Sequence, residues 1–510
     1  MSHDYIRKIL SAHVYDVAIE TPLDPLKKLS ERLKAPVLLK REDLQPVFSF
    51  KIRGAYNKMV QLSRDVLDCG VICASAGNHA QGVALAANRL NAKATIIMPK
   101  TTPSIKISAV RSYGAKVVLF GDSFDEAYDH ARQLEQEKNF TFIHPYDDPE
   151  VIAGQGTIGM EILRQHPAEI EAIFIPIGGG GLAAGVARFI KFLRPDIKVI
   201  GVEPIEAASM HDAIKADTRI LLEHVGLFAD GVAVRQAGEE TFRLCREYLD
   251  DIILIETDAI CAAIKDIFDD TRAISEPSGA LALAGLKKYI IQRNYSSEKP
   301  LIAINTGANL NFDRLRHIAE RAEIGEQREV LFAVTIPEQP GSYRRFIETL
   351  KNKMITEFNY RYANEKNAQI FVGIQLSDGD ADKEQIMEYL QQQGYFVIDL
   401  TNNEVAKLHV RYMVGGRVKG LENERIYRFQ FPERPGALLK FLKGMAKDWN
   451  ISLFHYRNHG ADYGRVLVGL QVPPSDEMHF QEYLQLLGYP YWDETHNPAY
   501  LTFLDGCSVS

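Results

Sequence analysis

Short runs of β-branched and apolar residues alternate with helix-like patterns from about residue 35 to residue 312, and this alternation restricts the fold more than any other feature. The runs that we interpret as strands are "PVLLK", "GVICAS", "ATIIMP", "KVVLF", "AIFIPI", "KVIGVE" and "PLIAIN". The capping box of Ser123 and Glu126 predicts the start of one intervening helix. Alternating strands and helices predict an α/β domain over residues 1–312, with parallel sheets covered by helices and ligands at the carboxyl ends of the strands.

The rest of the chain repeats itself. "FAVTIPEQPGSYRRFIETL" resembles "RFQFPERPGALLKFLKGM", and two further pairs, "FVGIQL" with "LVGLQV" and "EYLQQQGY" with "EYLQLLGY", keep an offset of about 95 residues. Each copy has the pattern strand, helix, strand, strand, helix, strand, which is the ferredoxin-like order. We therefore predict a connector at 313–329, a first α+β repeat at 330–401, a spacer at 402–424 and a second repeat at 425–497.

Charge and cysteine content exclude several classes of protein. The formal charge of −8 gives no basic surface for nucleic acid, and the longest apolar runs fall short of the roughly 20 residues that span a membrane. The N-terminal segment has no apolar signal-peptide core. The five cysteines are scattered, without a C-x-x-C pair, and predict reduced thiols in a cytoplasmic protein.

The segment "SFKIRGAYN" places Lys51 between Phe50 and Ile52 near the start of a predicted helix. A solvated surface lysine is the commoner explanation of such a residue. The other is a lysine whose apolar neighbours lower its pKa, so that its neutral amine can act as a nucleophile. The nonapeptide alone does not distinguish the two.

A run of four glycines, Gly178, Gly179, Gly180 and Gly181, lies between a predicted strand and a predicted helix. Backbone N–H groups without side chains and a helix N-terminus together favour a bound phosphate. Gly178, Gly180 and Ala183 also match G-x-G-x-x-A, and Glu203 follows about 20 residues later, as in dinucleotide-binding folds. A dinucleotide, another phosphate and a merely tight turn therefore remain open.

Two further strand-end turns carry polar residues. "SAGNHAQG" contains Ser75, Asn78 and His79, and "NTGANLNF" contains Thr306. Each turn alone is explained by helix capping or by an ordinary loop. Together with a nucleophilic lysine and a phosphate-binding loop, they match the needs of pyridoxal phosphate, which has a carbonyl, a phosphate, a ring nitrogen and a 3′-hydroxyl.

These four motifs, in this order and spacing, resemble those of the fold-type II pyridoxal-phosphate enzymes, and best the threonine/serine dehydratase branch. The C-terminal repeats resemble the tandem ACT-like regulatory units of the biosynthetic members. The resemblance implies that Lys51 forms a Schiff base with the cofactor and that Asn78 binds its 3′-hydroxyl. It also implies that Thr306 faces the ring nitrogen, that Ser75, Asn78 and His79 bind the substrate, and that the phosphate is held by Gly178, Gly179, Gly180, Gly181 and Leu182.

The resemblance further implies β-elimination from L-threonine to 2-oxobutanoate and ammonia, in a homotetramer regulated by isoleucine and valine. L-Serine dehydratase is the nearest alternative, and an NAD(P)-dependent enzyme using Gly178, Gly180, Ala183 and Glu203 is a more distant one. Ala76 stands where related serine racemases carry a second serine, which argues against racemisation. Ser209 stands where we expect the second carboxylate of a cation site containing Glu203, so we predict no metal there.

Overall fold

The computed structural model describes residues 4–350, 353–362, 366–377, 379–413, 415–416, 418, 421–432, 436–446, 448–457 and 463–504. The chain forms two compact units, Met1–Gly325 and Glu326–Ser510. In the described part of the chain, no helix has both the length and the apolar character needed to cross a lipid bilayer.

The first unit contains two sheets. The six-stranded sheet has the order Leu23–Pro25, Val37–Arg41, Leu301–Asn305, Ala172–Pro176, Lys198–Pro204, Asp251–Ile255. The four-stranded sheet has the order Lys116–Leu119, Ala94–Met98, Val71–Ala74, Thr141–Phe142. Every pairing is parallel except that of the short first strand. The α/β prediction is confirmed, and all seven predicted strands are present; three strands, Leu23–Pro25, Thr141–Phe142 and Asp251–Ile255, were not predicted.

Helices surround both sheets of the first unit. They are Asp4–Leu10, Lys27–Leu33, Lys51–Val60, Arg64–Cys69, Asn78–Arg89, Ser104–Ser112, Phe124–Lys138, Pro149–Gln165, Gly181–Leu193, Ser209–Ala216, Glu239–Tyr248, Thr257–Thr271, Pro277–Arg293 and Arg314–Gly325. The predicted capping box is present, because the Ser123 side chain accepts from the Glu126 N–H and the Glu126 carboxylate accepts from the Ser123 N–H. Strand residues such as Phe174 and Ile200 are fully or almost fully buried, as expected for a parallel sheet covered on both faces.

The second unit contains one eight-stranded antiparallel sheet. Its strand order is Phe396–Asp399, Glu329–Pro337, Asn367–Gln375, Ile355–Arg361, Asn450–Arg457, Tyr463–Gln471, Glu424–Pro432, Tyr491–Asp493. Its helices are Ser342–Thr349, Gly379–Gln392, Glu404–Leu408, Ala437–Gly444, Glu477–Leu487 and Pro498–Phe503. Each half follows the predicted ferredoxin-like order, which confirms the tandem α+β units.

The two halves of this sheet join through one pair of strands. Ile355–Arg361 pairs antiparallel with Asn450–Arg457, with Phe358 opposite Tyr456. Because each strand would otherwise be an edge with unpaired backbone groups, the pairing merges the repeats into one continuous sheet. Glu433, Arg434 and Pro435 of the second "PERPG" turn lie outside the described residues.

Candidate active site

The amine of Lys51 is partly buried and contacts the backbone of a distant segment. Lys51 is the first residue of the helix Lys51–Val60, and its Nζ donates a hydrogen bond to the carbonyl oxygen of Pro145 at 2.9 Å. Burial lowers the pKa of Lys51 to about 8, although the Glu276 carboxylate acts in the opposite direction. Roughly a tenth of the amine is therefore neutral at pH 7, far more than for a lysine with the ordinary pKa, and the neutral form is the one that acts as a nucleophile or base.

Glycines allow the Lys51 helix to approach its neighbours closely. A Cβ on Gly54 would lie 2.8 Å from the carbonyl oxygen of Val151, and one on Gly154 would lie 2.7 Å from the Cα of Gly54. A Cβ on Gly82 would lie 3.2 Å from the backbone carbonyl carbon of Lys51. The helices Pro149–Gln165 and Asn78–Arg89 thus pack directly against the backbone that carries Lys51, and side chains larger than hydrogen would move it.

A buried ion network anchors the same helix. Arg53 donates to Glu42 at 2.7 Å and to Glu161 at 2.6 Å, and Lys40 donates to Glu161 at 2.6 Å. All four side chains are fully buried, so each charge depends on its partners to offset the loss of water. The network ties the helix to Glu42, which follows the strand Val37–Arg41, and to the helix Pro149–Gln165. It therefore holds in place the helix that begins with Lys51.

The glycine run forms a turn that leads into the helix Gly181–Leu193. Gly180 has φ +95°, in the region that favours glycine, and Leu182 is buried in the first helical turn. A Cβ on Gly179 would overlap the ring of Tyr146, and one on Gly181 would lie 2.9 Å from the carbonyl oxygen of Tyr146. The run therefore lies beside the residue that follows Pro145, the hydrogen-bond acceptor of Lys51.

Further hydrogen bonds hold the glycine turn in place. The Thr241 hydroxyl donates to the carbonyl oxygen of Gly179 at 2.6 Å. Asp147 accepts hydrogen bonds from the N–H groups of Glu239, Glu240 and Thr241. Because Asp147 directly follows Tyr146, this helix start and the glycine turn are held in one cluster.

The turn that carries Ser75 and Asn78 follows the strand Val71–Ala74. The Ser75 hydroxyl accepts from the Gly77 N–H at 3.3 Å, and a Cβ on Gly77 would meet no atom within 4 Å. Open space thus borders the turn at the N-terminus of the helix Asn78–Arg89. The Asn78 amide donates to Glu276 at 2.6 Å and accepts from Asn309 at 2.7 Å.

His79 is buried behind this turn. Its Nε2 lies 2.8 Å from the carbonyl oxygen of Ile143, so Nε2 carries the proton and donates. Burial lowers the pKa of His79 to about 3, and the positive charge of Lys51 acts in the same direction. The imidazole is therefore neutral and committed to a backbone bond; its predicted contact with substrate stays a prediction.

Thr306 lies next to the Lys51 segment across a short backbone pairing. The N–H of Phe50 donates to the carbonyl oxygen of Thr306 at 3.2 Å. The Thr306 hydroxyl is buried and donates to the carbonyl oxygen of Ser278 at 3.2 Å. The Ser278 hydroxyl is itself buried without a hydrogen-bond partner. An orphaned hydroxyl beside Thr306 indicates a polar ligand atom that completes the site.

Glu203 does not face an open nucleotide site. Its carboxylate accepts from the N–H groups of Met210 and His211, at 2.9 and 2.8 Å, at the start of the helix Ser209–Ala216. Burial raises the pKa of Glu203 to about 8. Both carboxylate oxygens of Glu203 thus already accept backbone hydrogen bonds. Glu203 is therefore not free to bind the ribose hydroxyl, as an NAD(P) site would require. Among the described residues no cluster of three or more metal-binding side chains occurs, and the expectation of no metal stays a prediction.

These residues fit pyridoxal phosphate. The strand-end turns at Ser75, Gly178 and Thr306 all follow parallel strands at their carboxyl ends. The glycine turn offers backbone N–H groups at a helix start for the phosphate, and Lys51 offers a partly neutral amine for the carbonyl. No sequence motif indicated four further residues of the site, because each joins it only through long-range contacts: Tyr146, Glu276, Ser278 and Asn309.

Comparison with known proteins agrees with this geometry. Residues 14–307 match the family model described as pyridoxal-phosphate dependent enzyme, and residues 320–410 and 415–504 match the C-terminal regulatory domain of threonine dehydratase. The chain therefore belongs to the pyridoxal-phosphate-dependent enzyme family, in the threonine dehydratase branch that carries a C-terminal regulatory domain. Its cofactor is pyridoxal phosphate.

Individual relatives match along nearly the whole chain. The chain is 57% identical over 506 residues to "L-threonine dehydratase biosynthetic IlvA" of Burkholderia multivorans, covering 99% of each chain. It is 54% identical over 503 residues to the Escherichia coli protein of the same name, covering 99% of this chain and 97% of the other. The structure of the processed form of threonine deaminase isoform 2 from Solanum lycopersicum is 53% identical, with a TM-score of 0.62, over 63% of this chain and 88% of that one.

Proposed function

We propose that this chain deaminates L-threonine to 2-oxobutanoate and ammonia by a pyridoxal-phosphate-dependent β-elimination. The observation that carries the proposal is the Lys51 amine, with its lowered pKa, in one site with a glycine phosphate turn, Asn78 and Thr306. Near-complete alignment with proteins named threonine dehydratases supports it. The four described cysteines are free thiols, which supports a cytoplasmic location.

The roles of this chain's residues follow from their chemistry. The cofactor supplies an electron sink when the Cα–H bond of the substrate breaks. The neutral Lys51 amine takes the Cα proton as a general base. The open turn at Ser75, at the N-terminus of the helix Asn78–Arg89, suits the substrate carboxylate. The β-hydroxyl leaves as water, which balances the proton removed from Cα, and the resulting enamine becomes an imine that a second water hydrolyses to 2-oxobutanoate and ammonia.

A 2-oxo acid assay with four substrates tests the proposal. We expect L-threonine to give 2-oxobutanoate and ammonia, and D-threonine and D-serine to give neither, because Ala76 offers no hydroxyl for chemistry on the opposite face. L-Serine differs from L-threonine by one methyl group, which is worth only about 1–3 kcal/mol in a pocket, so slower turnover of L-serine is compatible with the proposal. Faster turnover of L-serine would favour the serine dehydratase alternative, and no product from either would contradict both.

We further propose that the second unit binds isoleucine as an inhibitor and valine as its antagonist, in a homotetramer. The second unit has a cavity between its two halves, lined mainly by apolar residues, among them Ile347, Leu350, Phe431 and Phe454, and also by Lys353. An aliphatic side chain suits such a lining. The halves are not identical, since Ser342 of the first corresponds to Ala437 of the second, which suits effectors bound with different affinities. Gln339 of the first repeat likewise corresponds to Arg434 of the second, and Arg434 lies outside the described residues.

Removal of the second unit should separate catalysis from its control. A shortened chain ending at Arg328 keeps the whole compact unit Met1–Gly325, so we expect it to release 2-oxobutanoate and to be insensitive to isoleucine. The full chain should lose activity with isoleucine and recover it with valine. Coupling between two sites is typically about 1–3 kcal/mol, which corresponds to a change of about 5- to 150-fold in affinity. The measurement is the initial rate against isoleucine concentration, with D-isoleucine as control. Inhibition of the shortened chain would place the effector site elsewhere, and a full chain that never responds would contradict regulation.

A further inference from the structure

The Asn78 amide is held from both sides by residues that are far away in sequence. Its Nδ2 donates to Oε1 of Glu276 at 2.6 Å, and its Oδ1 accepts from Nδ2 of Asn309 at 2.7 Å. Nδ2 of Asn309 also donates to the carbonyl oxygen of Val47 at 2.9 Å. Two side chains from strand-end turns, Asn78 and Asn309, and one from the segment between the helices Thr257–Thr271 and Pro277–Arg293 thus form one continuous hydrogen-bonded row.

The partners fix which way this amide faces. A backbone carbonyl only accepts, so the Asn309 nitrogen must face Val47, and its second N–H is then directed at Asn78. Because this N–H of Asn309 donates, the Asn78 atom that faces it must be the amide oxygen, Oδ1. On the other side the Glu276 carboxylate accepts, which requires the Asn78 nitrogen. Both ends of the row therefore select the same orientation, and Asn78 keeps one N–H that neither partner uses.

We propose that Glu276 is a positioning residue that, with Asn309, fixes the Asn78 amide so that it presents its remaining N–H to the 3′-oxygen of the cofactor. This inference rests on the proposed function, which places Asn78 at the 3′-oxygen. An N–H donor stabilises the 3′-oxygen without its proton, whereas a reversed amide would present a carbonyl oxygen and favour the protonated form. The orientation of one amide thus sets the protonation of the cofactor at that atom.

The surroundings of Glu276 favour such a fixed role. Its side chain is 4% exposed, and it precedes the helix Pro277–Arg293 without capping it. Burial, with a smaller contribution from the Asp230 carboxylate, raises the pKa of Glu276 to about 7, although the hydrogen bond from Asn78, the charge of Lys106 and the N–H of Asn309 act in the opposite direction. The carboxylate accepts hydrogen bonds from the Asn78 amide and from the N–H of Asn309. Because the site is buried, water could not readily replace either donor.

Glu276→Gln tests the proposal with almost no change of shape. Glutamine offers one acceptor and one NH2 group where the carboxylate offered two acceptors, so the Asn78 amide can reverse. The readout is the absorption spectrum of the holoenzyme, specifically the ratio of the long-wavelength band of the deprotonated 3′-oxygen to the short-wavelength band of the protonated form. We expect this ratio to fall about tenfold, as loss of a charge-assisted hydrogen bond implies. Asn309→Ala removes the opposite partner and should move the ratio in the same direction.

Glu256→Gln is the matched control. Glu256 also directly precedes a helix, Thr257–Thr271, without capping it, but it is exposed and belongs to a different helix start. We expect its spectrum to equal that of the unmodified chain. An unchanged ratio in Glu276→Gln and Asn309→Ala, with the band present, would overturn the positioning role alone. An unmodified chain that gives no visible band with added pyridoxal phosphate would overturn the proposed function and this inference together.

Discussion

Lys51→Ala is expected to reduce 2-oxobutanoate formation from L-threonine by at least about a thousandfold, because one amine serves as both the cofactor attachment and the base. The structure gives this amine a backbone partner at Pro145 and a pKa of about 8. Alanine keeps the helix, since it has the highest helix propensity. The rate should fall while the circular dichroism spectrum stays unchanged.

Lys58→Ala is the control for this loss. Lys58 lies on the same helix, and its Nζ pairs with the Asp148 carboxylate at 2.8 Å. We expect it to keep most of the activity, because a partly exposed ion pair contributes little. Activity of Lys51→Ala within tenfold of the unmodified chain would exclude Lys51 as the reacting amine.

Gly179→Ala is expected to lower the affinity for pyridoxal phosphate by about a hundredfold. Its Cβ would overlap the Tyr146 ring, so either the ring or the glycine turn must move. Such overpacking costs up to about 3 kcal/mol, which corresponds to about a hundredfold in a binding constant. Titration of the cofactor-free protein, followed by the visible band, measures the change.

Gly416→Ala makes the same substitution where there is room. A Cβ on Gly416 would meet no atom within 4 Å, and we expect the cofactor affinity to be unchanged. If Gly179→Ala also bound the cofactor normally, the glycine turn would not be the phosphate site. The pair of variants thus separates a steric effect at the turn from a general effect of replacing glycine.

Much of this architecture was predictable because its signals are local. Strands such as Ala172–Pro176 are continuous apolar runs, which is the pattern of strands buried on both faces. Parallel topology then brings the carboxyl ends of the strands together, so that Gly178 and Thr306 were expected at one edge before any contact was known. The repeat offset likewise predicted two copies of one unit, and the pattern of strands and helices in each copy predicted the ferredoxin-like order.

The supporting residues were not predictable, since their roles depend on contacts between distant segments. Glu276 resembles an ordinary residue at a helix start, yet its carboxylate binds Asn78, 198 residues away in sequence. Arg53 lies inside the recognised motif, but only its burial between Glu42 and Glu161 shows what it does. A local pattern records which residues can cap or pair, whereas tertiary packing decides which of them are buried together.

Borohydride reduction followed by peptide mapping identifies the lysine that carries the cofactor. Reduction converts the bond between pyridoxal phosphate and its lysine into a stable secondary amine, which adds a fixed mass to one peptide. Attachment of the cofactor at Lys51 predicts loss of the visible band and a phosphopyridoxyl group on the peptide that contains Lys51, with none on the peptide that contains Lys58. A label on another lysine, or no label on a protein that still releases 2-oxobutanoate from L-threonine, would contradict it.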